Sequence, residues 1–157
     1  MKAEMPAFRA GEAKMATVYD VAAYILSSHG EMTAMKLQKL VYYCQAWHIA
    51  WTDDILFNER IEAWADGPVS PDLFQLHRGT FRLSKLPEGD AARLTDDERD
   101  TIDRVLAFYG DKSPQWLSDL THNEEPWRIA RGNLPDRAVS QVIISPEVMG
   151  SYYSSLH

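Results

Sequence analysis

The chain has 157 residues and a formal net charge of −7, the size of one ordinary domain that can bury a core without disulfides or a structural metal. Its basic side chains are scattered (Lys36, Lys39, Arg78, Arg82, Lys85, Arg128, Arg131, Arg137), so the concentrated positive face that nucleic acid requires is missing. Cys44 is alone, which excludes an intrachain disulfide and a multi-cysteine zinc site, and the most apolar stretch, residues 40–51, holds Gln45 and His48 and is too short to cross a bilayer.

Residues 1–15 carry Pro6, Gly11 and charges without periodicity and read as a flexible tail; residues 16–157 read as a single domain. Val18, Val21, Ala22, Ile25 and Leu26 share one helical face after Thr17, and Gly30 supplies a stop. Thr33 is a fitting N-cap for a longer helix, whose stripe of Leu37, Leu40, Val41, Cys44, His48 and Trp51 is widened by Tyr42, Tyr43 and Trp47. That breadth predicts a central helix over 33–51, covered on more than one side.

Residues 55–64 suggest two short extended pieces around Asn58, and Asp66-Gly67-Pro68 signals a tight turn with Gly67 the position needing positive φ. Ser70-Pro71 opens a short helix through His77. A connecting loop over 79–90 is expected next, then a capping box at Thr95 and Glu98 ahead of a helix through Tyr109 that Gly110 ends. Ser113-Pro114 starts another helix, Pro126-Trp127 a further short turn, and Ser145-Pro146 the last helix. The expected fold class is mainly α: a compact single-domain helical fold around a central helix, with one small β-hairpin.

Candidate chemistry is thin. Cys44 and His48 stand four residues apart on one helix face and could form a thiolate–imidazole pair, but a cysteine in an apolar stripe is ordinarily inert. His48, His77 and His122 with Glu62 and Asp66 lack any recognised metal spacing. Lys36 and Lys39 read most simply as surface charges on the central helix. No cofactor and no metal are expected. The N-terminus has no apolar signal-peptide core, so a cytoplasmic location is expected.

Three stretches together resemble the Panacea domain, the antitoxin family that includes SocA-type proteins. The first runs from Met35 to His48, MKLQKLVYYCQAWH; the second from Ile61 to Pro71, IEAWADGPVSP, followed by His77-Arg78-Gly79; the third comprises Leu117-Ser118, Thr121-His122 and Pro126-Trp127. The similarity covers roughly residues 18–131. The family usually carries tyrosine where this chain has Asp66. The resemblance implies a type II toxin–antitoxin system in which the chain binds and neutralises a co-encoded toxin. It also implies, for SocA-type members, delivery of that toxin to an AAA+ protease of the ClpXP kind.

The residues the resemblance points to as family-motif or partner-binding are Lys36, Gln38, Lys39, Tyr43, Trp47, Trp64, Gly67, Pro68, His77, Arg78, His122 and Trp127. Trp64, Arg78 and Trp127 are the expected interface anchors wherever they are exposed. A binding module, not an enzyme, is the expected class; the alternative is a small hydrolase using Cys44 and His48 or the histidine–carboxylate set. A homo-oligomeric state is left open.

Overall fold

The computed structural model describes residues 15–156, so the tail expected over 1–15 lies outside the described residues except for Met15. Among them are seven α-helices and two antiparallel two-stranded sheets. Helix α1 (Val18–His29) opens on the capping box of Thr17 and Asp20, and Gly30 closes it. The central helix α2 (Ala34–Thr52) starts at Thr33, whose hydroxyl accepts the Lys36 amide proton. Leu37, Leu40, Val41 and Cys44 are fully buried on it, as its stripe predicts.

Strands β2 (Glu62–Trp64) and β3 (Gly67–Val69) form a hairpin, and α3 (Pro71–His77) follows from its Ser70 cap. A second ribbon joins β1 (Met32–Thr33) to β4 (Arg82–Leu83). Helices α4 (Asp96–Tyr109), α5 (Pro114–Asn123), α6 (Glu125–Arg131) and α7 (Pro146–Ser154) complete the fold. Helix α2 packs against α1, α4, α5, α7 and the β3 strand. Its approach to α7 is close: a Cβ on Gly150 would lie 2.7 Å from Ile49 Cγ2.

Four local expectations need correction. Trp51 does not finish the buried stripe but is 39% exposed, because α2 outruns its cover at that end. Residues 55–57 form no strand, since the Gln45 side chain takes both backbone groups a partner strand would use. Its Oε1 accepts from Leu56 N and its Nε2 donates to Phe57 O, both at 2.7 Å. The tight turn is Ala65-Asp66, so Gly67 and Pro68 open a strand, with Gly67 at φ +120° as its role requires. The expected loop over 79–90 contains β4, held by the β1 pairing far away in sequence.

The heart of the core is polar-aromatic. Tyr43 stacks on Tyr109 with ring centroids 4.2 Å apart, and Trp47 Nε1 donates to Tyr109 Oη at 3.0 Å. Tyr43 and Tyr153 both donate to Glu124 Oε1, at 2.8 and 2.7 Å. The Tyr153 proton is thereby committed, which leaves Tyr42 to donate to Tyr153 Oη across 3.0 Å. Burial pushes the Glu124 carboxyl above its usual value near 4.5, against the two phenol hydrogen bonds that favour its ionised form.

The folded protein therefore holds this proton more tightly than the unfolded chain does. Unfolding free energy falls as pH rises from about 4.5 through the elevated folded value. Glu124→Gln keeps an acceptor for both phenols and removes the charge. Denaturant melts at pH 4.5 and pH 7 are expected to show a smaller stability loss over that interval in the variant. An unchanged loss would assign the slope to other groups.

Candidate functional site

Gln38 and Lys39 leave α2 near its first turns and reach the hairpin. Gln38 Nε2 donates to Ser70 O (3.1 Å) and Gln38 Oε1 accepts from Ser70 N (2.8 Å), so one side chain fixes both backbone groups at the start of α3. Its second amide proton meets His77 Nε2 at 2.9 Å, which makes that nitrogen the acceptor and places the His77 proton on Nδ1. Burial lowers the His77 pKa, in keeping with a neutral ring. Gln38 thus spends its carbonyl and both amide protons on the hairpin's exit and on His77.

The sequence reads Lys39 as a solvated surface charge, whereas the structure places it inside, 1% exposed. The reason is the hairpin laid across it. Lys39 Nζ donates to Pro68 O in one long bond of 3.4 Å, and the aliphatic stem runs beneath Gly67. A Cβ on Gly67 would come within 2.7 Å of Lys39 Cε and 3.0 Å of Thr121 Oγ1. Desolvation pulls the Lys39 pKa down to about 8, and Asp66 nearby only partly opposes this.

The hairpin is fastened from behind. Arg131 Nη1 donates to Ala63 O (3.0 Å), Trp127 Nε1 to Trp64 O (2.8 Å), and Ser118 Oγ to Asp66 O (3.0 Å), while His122 Nε2 lies 2.8 Å from Ala65 O. Four successive carbonyls are thereby met by side chains from α5 and α6. The third sequence block therefore has a physical role, which is to clamp the second block over Lys39 of the first.

The result is a cleft of about 580 Å³ between the start of α2, the hairpin, α3 and the chain leading into β4. Gln38, Lys39 and His77 line its polar floor, exposed Asp66 stands at its edge, and Met35, Trp64, Phe74 and Phe81 form apolar walls. Phe81 is 76% exposed and Met35 42%, and both reach solvent at the rim. The β1–β4 ribbon brings Phe81 there, since Ala34 N donates to Phe81 O at 2.9 Å. A larger groove of about 660 Å³ lies at the far end of α2, lined by Trp47, Trp51, Arg104 and Phe108. Trp47 is the one motif residue in it, and its lining holds no buried charged group, so the smaller cleft is the candidate site.

Of the motif residues, Gln38, Lys39, Trp64, Gly67, Pro68 and His77 come together at or against this cleft, and exposed Arg78 follows His77 in the chain. Lys36 lies elsewhere, donating to Gly110 O (2.6 Å) and capping the end of α4. Tyr43 belongs to the core, and His122 and Trp127 are fasteners; Trp127 is buried, which removes it as an anchor. Met35, Phe74 and Phe81 are wall residues that spacing does not reveal, because only the β1–β4 pairing and the α3 geometry gather them. Glu62, a member of the histidine–carboxylate set, is buried and bonded to Arg60 Nε and Trp64 Nε1.

Burial pushes the Cys44 thiol up, disfavouring the thiolate that a nucleophile needs, and His48 Nδ1 is engaged by Thr101 Oγ1 at 2.8 Å. Among the described residues no three His, Cys, Asp or Glu side chains are grouped to hold a metal. No helix among them is long and apolar enough to cross a membrane.

Gly67→Ala is expected to destabilise by about 1–3 kcal/mol, from strain at positive φ and the collision with the Lys39 stem. Adding Lys39→Ala removes the collision, so the double variant should lose less than the sum of the single losses. Thermal melts of the four proteins in this cycle measure the coupling; strict additivity would separate the glycine from the lysine.

No curated protein and no solved structure matches the chain. The family described as Antitoxin SocA-like, Panacea domain, matches residues 37–128, the span that runs from the head of α2 through the hairpin to the fasteners on α6. The chain belongs to the SocA-like Panacea domain family of antitoxins.

Proposed function

We propose that the chain neutralises a toxin encoded beside it by binding that toxin through the Gln38–Lys39–His77 cleft. The supporting observation is that the first two sequence blocks within the family match line one cleft, which the third clamps from behind and whose rim exposes Phe81 and Met35. Aromatic residues and methionine are enriched at protein interfaces relative to the rest of the surface, and a few such anchors carry most of the binding energy. The chain acts as a non-enzymatic cytoplasmic binding module. The raised Cys44 thiol supports this reading over the hydrolase alternative.

Bound toxin is either held inactive or handed to an AAA+ protease of the ClpXP kind. Co-expression with the neighbouring gene's product tests both. Wild-type chain should restore growth, while Phe81→Asp combined with Met35→Asp should abolish rescue and co-purification with the thermal melt preserved. Rapid toxin loss only in protease-positive cells marks delivery; a long-lived toxin marks sequestration. Full rescue by the double variant would move the interface away from the cleft.

A further inference from the structure

The Lys39 ammonium has three N–H donors, yet among the described residues its one protein acceptor is Pro68 O at 3.4 Å. Among the described residues no carboxylate comes within 4.0 Å of it. Asp66, an exposed residue lining the same cleft, acts on it only through space. A charge buried this deeply without a close counter-charge is costly. Around it Gln38 is spent on Ser70 and His77, and His77 Nε2 is spent on Gln38. Lys39 lines the cleft with Asp66 at its exposed edge and Met35, Trp64, Phe74 and Phe81 as its apolar walls.

We propose that the cleft receives an aspartate or glutamate side chain of the partner, flanked by a large apolar residue, with the carboxylate on Lys39 Nζ. The inference rests on the cleft being the partner-binding site. An acidic side chain fits better than a chain terminus. It delivers only acceptor atoms on an aliphatic stem and leaves its own backbone in water. A terminus would bring peptide N–H groups against Gln38 and His77, whose acceptors are already engaged. The neighbouring apolar residue packs between Trp64, Phe74 and Phe81 and excludes water, which strengthens the ion pair.

Two acetylated and amidated peptides serve as probes, Ala-Trp-Glu-Leu-Ala and Ala-Trp-Gln-Leu-Ala, titrated at pH 7 into the ¹⁵N-labelled full chain. The glutamate peptide should shift the Lys39 ammonium and Trp64 indole resonances and bind about tenfold more tightly than the glutamine peptide. In Lys39→Met, whose unbranched stem still underlies Gly67, that preference should vanish while glutamine-peptide binding persists. If the variant does not fold, the wild-type comparison and the Lys39 resonance decide alone. Equal binding, a preference that survives Lys39→Met, or no response at the cleft overturns the proposal. Rescue lost in the Phe81/Met35 double variant alongside equal peptide binding would sink the carboxylate and spare the partner site. The converse pattern would spare carboxylate binding and sink the partner site.

Discussion

Helix α2 is enclosed on nearly every side, and the rest of the molecule follows from what that enclosure demands of its polar side chains. A helix with one wet face can send amides, hydroxyls and ammonium groups into water; α2 buries Gln38, Lys39, Gln45 and His48. Each must find a partner within the protein or remain a costly orphan. Gln38 and Gln45, seven residues apart along the same side, each hold a passing segment by its N–H and C=O as a neighbouring strand would. His48 draws in Thr101 of α4, and Tyr43 draws in Glu124. Irregular chain is thereby ordered by the helix it crosses.

The clefted end differs from this pattern in one respect. Gln38 is matched group for group, whereas Lys39 is covered without being matched. Its cover is a hairpin whose four successive carbonyls at positions 63–66 are met from α5 and α6. The covering element is thus held in place by other contacts than those Lys39 itself makes. That separation lets an incompletely satisfied ammonium persist beneath it, because the hairpin does not depend on the lysine for its position.

What sequence revealed and what it concealed divide along the range of the interactions. Thr17, Thr33, Ser70-Pro71, Thr95, Ser113-Pro114 and Ser145-Pro146 each begin a helix as read, since a cap is decided within four residues. The breadth of the α2 stripe gave away its central place. The β1–β4 pairing, the buried Glu124 and the buried Arg131 were illegible, because their partners lie far along the chain and their residue types ordinarily mark surface. The site was half readable. Its residues stand in the motif blocks, but nothing local distinguishes Lys39, buried beneath the hairpin, from Lys36, one turn away, whose ammonium caps α4.

The two small sheets that frame the cleft have three and two residue pairs. Ribbons of that size are barely stable by themselves and survive by leaning on α2 and on the side chains behind them. The floor of the cleft belongs to the most deeply packed helix of the fold, and its walls to the least self-sufficient elements. The molecule therefore has a self-supporting base beneath walls whose order is borrowed from the helices behind them.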